Sequence, residues 1–140
     1  MFLGRDTEQT YLENFYHKRG SHLVVLYGQK NIGKTALIHE FTKGKDCLYF
    51  MAREVSEQEQ QRVMKRELLE QKKVSKNCKE SFEAIFFQYI ETDSSEKKIL
   101  IVEEFQNIVR MGNGFMEAIQ KILTTNVLCI LSSSSVSWVE

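Results

Sequence analysis

One short stretch constrains this chain more than any other, because it sets glycines, a lysine and a threonine at fixed spacing. It consists of Gly28, Gln29, Lys30, Asn31, Ile32, Gly33, Lys34 and Thr35. The stretch fits the pattern G-x-x-x-x-G-K-[ST] at every fixed position. The apolar run His22–Tyr27 before it predicts a buried strand, and the run Ala36–Phe41 after it predicts a helix.

A strand that leads through a glycine-hinged turn into a helix is suited to binding phosphate. Glycines let backbone N–H groups surround phosphate oxygens, and the helix start adds free N–H groups and a positive dipole end. We expect Lys34 to place its ammonium on the outer phosphates and Thr35 to offer its hydroxyl to Mg²⁺. The predicted nucleotide-binding residues are Gly28, Gln29, Lys30, Asn31, Ile32, Gly33, Lys34, Thr35 and Ala36.

A second informative stretch joins the aliphatic run Ile99–Val102 to two adjacent acids, Glu103 and Glu104. Such a run predicts a strand buried on both faces of a parallel sheet. Because successive strand side chains point to opposite faces, the two acids can divide two tasks. One can hold Mg²⁺ beside Thr35, and the other can orient or deprotonate the water that attacks a γ-phosphate. The alternative is a solvated strand end without a function.

Strands alternate with helices along the rest of the chain. Cys47–Met51 and Val127–Leu131 predict two more buried strands, and Gln58–Gln71 predicts a partly exposed helix. We therefore expect an α/β fold of three layers with a mainly parallel sheet of four strands. Ligands of such sheets bind at the carboxyl ends of the strands. The phosphate loop, the acid pair and the serine run Ser132–Ser135 each follow a strand, so we expect all three at one edge.

Composition limits the remaining choices. The 140 residues carry a formal net charge of zero, which suits one domain over residues 1–140 and does not indicate a nucleic-acid or membrane partner. No apolar run approaches the ~20 residues of a membrane span. Cys47, Cys78 and Cys129 lack zinc or disulfide spacing, which favours a reducing, cytoplasmic location.

Together these residues resemble the archaeal-type ATPase domain family, a P-loop group in the STAND class that is close to AAA+ proteins. Four segments carry the resemblance. Phe2–Glu8 looks like the family's F-x-G-R-x-x-E box near the adenine, and Leu26–Thr35 looks like its Walker A strand and loop. Ile101–Gln106 looks like its Walker B segment, and Leu131–Ser137 looks like its sensor-1 segment.

The resemblance implies individual roles. Glu103 stands in the place of the usual Walker B aspartate and is expected to bind the metal with Thr35. Glu104 is the expected catalytic acid, together with Lys34, and Ser133 is the expected sensor residue. Ser132 stands where the family usually has glycine. The resemblance further implies an N-terminal part of an AAA+-like core of strand order 5-1-4-3-2, without the fifth strand and the lid.

The expected function is Mg²⁺-dependent hydrolysis of ATP to ADP and phosphate, as a switch or motor module of a larger protein. The alternative is a nucleotide-dependent interaction module that hydrolyses ATP weakly or not at all in this form. A GTPase is disfavoured because no N-K-x-D motif occurs, and a small-molecule kinase because the arginines do not cluster. An open edge at the first strand predicts self-association.

Overall fold

The computed structural model describes residues 5–28, 33–92 and 96–134. Within these ranges strands alternate with helices, as the sequence predicts. The strands are β1 (His22–Tyr27), β2 (Cys47–Met51), β3 (Lys98–Glu103) and β4 (Val127–Ser133). The helices are α1 (Arg5–His17), α2 (Lys34–Thr42), α3 (Glu57–Glu70), α4 (Phe82–Ile90), α5 (Gln106–Val109) and α6 (Gly114–Ile122).

All strand pairs in the sheet are parallel, and the order is β1-β4-β3-β2. This confirms the predicted α/β class and the predicted neighbours of each strand. Both inner strands are buried at every position, which agrees with their continuous aliphatic sequences. The strand β4 extends two residues past the predicted end at Leu131, so Ser132 and Ser133 belong to the sheet.

Helices cover both faces of the sheet and make three layers. On one face α1 and α2 pack through Leu12, Ile38 and Phe41 against Ile101 and Ile130 of the inner strands. The larger core lies on the other face, where α3, α4, α5 and α6 bury residues against Leu100, Val102, Cys129 and Leu131. Burying apolar area on both faces drives this arrangement.

Two helices on the larger-core side begin at serines that serve as N-caps. The Ser56 hydroxyl accepts the backbone N–H of Glu59 at the start of α3, and the Ser81 hydroxyl accepts that of Ala84 at the start of α4. Such caps satisfy N–H groups that have no partner within the helix. They fix the residue at which each helix begins.

The register brings the strand ends level with each other. Glu103 is the Cα partner of Ser132, Met51 is the partner of Glu103, and Leu26 is the partner of Ser132. Among the described residues β1 pairs with β4 alone, so it forms one edge of the sheet. Its side chains Leu23 and Tyr27 are each 39% exposed.

Candidate functional site

The phosphate loop joins β1 to α2, and its two described ends are Gly28 and Gly33. Gly33 precedes α2 with φ of 91°, a left-handed conformation that favours glycine. The N–H of Gly28 donates to the carbonyl of Ser133 at 3.2 Å, so the loop begins in contact with the end of β4. The predicted phosphate contacts Gln29, Lys30, Asn31 and Ile32 lie outside the described residues.

The first turn of α2 carries the remaining residues of the motif. The Lys34 ammonium donates to the carbonyl of Gly28 at 2.6 Å, so it reaches back across the loop toward the end of β1. Thr35 and Ala36 are exposed on the same turn. Free N–H groups and the dipole at this helix end favour an anion. The described part of the loop therefore has the cation and the helix start that phosphate binding needs.

The Glu103 carboxylate is the central acid of the site. It is only 3% exposed. The Thr35 hydroxyl donates to the Oε1 atom of Glu103, with 3.2 Å between the two oxygens. The Ser132 hydroxyl oxygen lies 3.1 Å from the same Oε1 atom. The Tyr49 hydroxyl donates to Oε2. Because a buried carboxylate without donors is costly, these three hydroxyls make its burial tenable.

Burial of the Tyr49 phenol, and next its hydrogen bond to Glu103, raise its pKa above the usual value. The phenol therefore stays protonated at neutral pH and remains a donor to the carboxylate. The His39 ring packs edge-on against the Tyr49 ring, with centroids 5.7 Å apart. Sequence reasoning did not single out Tyr49, since nothing in the local pattern distinguishes it from its apolar neighbours on β2.

The contact between Thr35 and Glu103 fits a magnesium site. Mg²⁺ prefers hard oxygen ligands and usually binds through one or two carboxylates plus substrate phosphates. In the described ranges no group of three or more His, Cys, Asp or Glu residues is arranged to hold a metal. A hydroxyl and a carboxylate beside the phosphate loop suit a metal that takes its other ligands from a nucleotide and water.

Glu104 directly follows β3 and has a backbone φ of 55°. This left-handed conformation costs a non-glycine residue on the order of 1 kcal/mol and occurs often at functional sites. The Ser134 backbone N–H and hydroxyl both lie 2.9 Å from its Oε1, and Gln106 Nε2 lies 3.0 Å from the same atom. The structure thus holds the second acid separately from Glu103.

The serines after β4 have different positions. Ser132 contacts Glu103 and Ser134 contacts Glu104, whereas Ser133 is fully buried in the strand between them. Alternation along the strand puts the Ser133 side chain on the face opposite Ser132. Ser134 was not among the predicted site residues. The alternation of side-chain directions along the serine run is the sequence signal that distinguishes it from Ser133.

A cleft of about 650 Å³ lies at the carboxyl edge of the sheet, with a volume in the usual range of small-molecule sites. Its lining residues are Gly33, Lys34, Thr35, Met51, Ala52, Arg53, Glu54, Glu103, Glu104, Asn107 and Ser132. The cleft therefore brings together Gly33, Lys34 and Thr35, both acids and Ser132 at the carboxyl edge of the sheet. One wall of the cleft is formed by residues that follow β2, which the sequence did not indicate.

Gln60 on α3 fixes that wall. Its amide oxygen accepts the Arg53 N–H at 2.8 Å, and its amide N–H donates to the Arg53 carbonyl at 2.7 Å. Gln60 is completely buried, although it lies in a helix that reads as polar. The Arg53 guanidinium pairs with Glu67 on the same helix. This double hydrogen bond attaches the backbone that follows β2 to α3.

Residues 2–139 match a family described as an ATPase domain predominantly from Archaea. The chain belongs to this ATPase family. An uncharacterized protein of Methanocaldococcus jannaschii is 26% identical over an alignment of 140 positions, which covers 96% of this chain and 30% of that protein. An uncharacterized ATP-binding protein of the same organism is 38% identical over 45 residues, which are 32% of this chain and 76% of that protein.

Two solved AAA+ structures share the fold of this ATPase domain. The Aeropyrum pernix ORC2 protein, in ADPNP-ADP complexes, matches with a TM-score of 0.61 at 17% identity, over 95% of this chain and 41% of that one. Caenorhabditis elegans PCH-2 matches with a TM-score of 0.57 at 15% identity, over 94% of this chain and 37% of that one. The chain thus spans less than half of each, and about a third of the longer archaeal relative. No described helix is long and apolar enough to cross a membrane.

Replacing Gln60 with alanine tests the fixed wall of the cleft. Gln60→Ala leaves the partly buried N–H and carbonyl of Arg53 without these partners, so we expect a loss of about 1 kcal/mol in the free energy of unfolding. Hydrogen exchange of the Arg53 amide should also become faster. The matched control is Gln58→Ala, on the exposed side of the same helix. Equal stability and exchange in both variants would contradict the assigned role.

Proposed function

We propose that this ATPase-family chain binds ATP with Mg²⁺ in the cleft and hydrolyses it to ADP and phosphate. The observation that carries the proposal is the 3.2 Å contact between Thr35 Oγ1 and Glu103 Oε1, next to Lys34 at the start of α2. It brings a hydroxyl, a carboxylate and an ammonium from two segments far apart in sequence to one edge of the sheet. These are the groups that bind a nucleoside triphosphate together with its metal ion.

The residues divide the work of binding. Lys34 and the N–H groups of the first turn of α2 would neutralise and orient the phosphates. Thr35 and Glu103 would hold Mg²⁺, which supplies electrostatic stabilisation of the charge that develops on the phosphate oxygens. Glu103 is well suited to this role because its three donors are hydroxyls, which leave its negative charge in place.

Glu104 is the proposed general base. Its carboxylate would orient the attacking water and accept its proton, while Ser134 and Gln106 fix the orientation of the acid. Ser133, the residue predicted as the sensor from the resemblance, acts in this proposal through its carbonyl contact with Gly28. The proposal gives the sensor role to Ser134, because its hydroxyl contacts the Glu104 carboxylate directly.

A second candidate function is nucleotide-dependent interaction with little or no hydrolysis. The Ser134 hydroxyl lies within 2.9 Å of both carboxylate oxygens of Glu104, so this acid is engaged by a neighbouring side chain. A base held in this way would need to exchange its partners before it could accept a proton. Binding and turnover therefore require separate experiments.

Adenine specificity and biological context rest on the comparisons. The family is one of ATPase domains, and the shorter archaeal relative is named for ATP binding, which favours ATP over GTP. The longer relative has about three times the matched length, so the domain formed by residues 1–140 would act as a switch or motor module of a larger protein. Assignment to the STAND class is part of this proposal.

Lys34→Ala tests the binding site. The variant removes the ammonium that would contact the phosphates, so we expect ATP affinity in Mg²⁺ to fall on the order of 10- to 100-fold. Calorimetric titration with Mg·ATP and Mg·GTP measures the affinity and the base preference. Lys43→Ala is the matched control, since Lys43 is exposed at the other end of α2. Unchanged ATP affinity in Lys34→Ala would refute a phosphate-binding role for the loop.

Glu104→Gln separates hydrolysis from binding. The amide has nearly the shape of the acid but cannot accept the proton of the attacking water, so turnover should fall by ~10²–10⁴-fold while ATP affinity stays close to that of the original chain. Phosphate release measures the rate, and the exposed Glu70→Gln serves as control. If the original chain binds ATP but releases no phosphate above background, the interaction module is the correct function.

We also propose that the isolated chain associates with itself through the outer edge of β1. Leu23 and Tyr27 are exposed on this strand, and the outer edge has no strand partner among the described residues. Unpaired edges with apolar side chains favour pairing with another chain. We expect the average mass in light scattering to rise with protein concentration.

Leu23→Lys should suppress this association because a charge at a strand edge opposes pairing. Met111→Lys, at an exposed apolar residue outside the sheet, is the matched control and should associate like the original chain. A concentration-independent monomer mass for the original chain would exclude the proposed association.

A further inference from the structure

The Glu103 carboxylate is held from three separate elements. Thr35 contacts it from α2, Ser132 from β4 and Tyr49 from β2. Thr35 is the proposed metal ligand and Ser132 is the register partner of Glu103 on the neighbouring strand. Tyr49 is neither a proposed metal ligand nor the register partner of Glu103. Its Cα partner on β3 is Ile101, two residues before Glu103. Its hydroxyl nevertheless donates to the carboxylate.

We propose that Tyr49 is a positioning residue of the Mg²⁺·ATP site, whose hydroxyl fixes the Glu103 carboxylate against Thr35. This inference rests on the proposed function of the cleft. Tyr49 donates to Oε2, while Ser132 and Thr35 lie closest to Oε1, so the two oxygens are held from opposite strands. The carboxylate cannot then rotate about its terminal torsion without losing a hydrogen bond.

The length of the acid explains why this chain needs such a residue. Glutamate has one more methylene than aspartate and therefore one more rotatable bond, which would leave its carboxylate less well placed for a metal. Tyr49 on one side and Ser132 on the other remove this freedom. A hydroxyl suits the task better than a lysine or arginine would, because a neutral donor does not neutralise the charge that attracts the cation.

The side-chain environment limits what Tyr49 can do otherwise. Its ring is partly buried and packs on the smaller core beside α2, with His39 against its edge. These ring contacts stabilise the fold whether or not the hydroxyl is present. The hydroxyl itself contacts the proposed metal ligand, so its removal tests the positioning role and leaves the packing in place.

Tyr49→Phe is the direct test. ATP affinity is measured by calorimetry in EDTA and again in saturating Mg²⁺, and the ratio gives the enhancement due to the metal. Loss of a group that orients a metal ligand typically lowers metal affinity by ~10–100-fold, so we expect the enhancement to fall by about 10-fold or more. ATP affinity in EDTA should not change, because the phosphate loop is intact. Tyr16→Phe, which removes a hydroxyl near the opposite edge of the sheet, is the matched control.

A double-mutant cycle with Glu103→Gln identifies the path of the effect. If Tyr49 acts through the carboxylate, Tyr49→Phe should cause no further loss of metal enhancement in the Glu103→Gln background. Tyr49→Met also removes the hydroxyl, because it replaces the phenol by a flexible apolar side chain. It should lower ATP affinity in Mg²⁺ but not in EDTA, and it provides a second variant if Tyr49→Phe does not fold. Circular dichroism establishes the folded state of each variant.

The outcomes separate this inference from the proposed function. Normal metal enhancement in Tyr49→Phe, or equal losses of affinity in EDTA and in Mg²⁺, would overturn the positioning role while leaving the ATP site intact. An original chain that shows no Mg²⁺-dependent ATP binding would refute the proposed function, and the role of Tyr49 with it. A loss confined to the Mg²⁺ measurement and absent from Tyr16→Phe supports the inference.

Discussion

The strand β4 pairs in parallel with β1 on one side and β3 on the other, and every group of the candidate site depends on this central position. The pairing brings the described ends of the phosphate loop, the acid pair and the serines at the end of β4 to one edge, although they lie about a hundred residues apart at the extremes. It also buries β3 and β4 completely, so the strands that carry the acids and serines are supported by both cores. Functional groups at the ends of such rigid strands keep their mutual geometry.

The burial of Glu103 connects the fold with its proposed chemistry. A charged group in a site this enclosed must be hydrogen-bonded, and the chain supplies hydroxyls where a structural ion pair would supply a lysine or an arginine. The acid therefore keeps its attraction for a cation, and Thr35 adds a second oxygen at the surface of the cleft. Glu104, held by Ser134 and Gln106, lies outside this cluster, as its separate proposed role requires.

Local patterns were sufficient to predict much of this arrangement. The bounds of β1 and β2 follow from their apolar runs, because these depend on nearby residues. The alternation of buried strands with helices indicated the parallel sheet. Tyr49 and Gln60 could not be found in this way. Each acts through a contact that only the tertiary fold creates, between Tyr49 and a residue 54 positions away and between Gln60 and the turn after β2. Gln60 lies in a helix whose sequence indicates a solvated surface, yet it is buried.

A crystal structure of the chain with Mn²⁺ and a non-hydrolysable ATP analogue would test the central claim most directly, since the anomalous signal of manganese locates the metal. The account predicts a metal between the Thr35 hydroxyl, the Glu103 carboxylate and the outer phosphates, with the Tyr49 hydroxyl still on the carboxylate. A metal or triphosphate bound elsewhere, with Glu103 bound only by its hydroxyl neighbours Thr35, Tyr49 and Ser132, would contradict it.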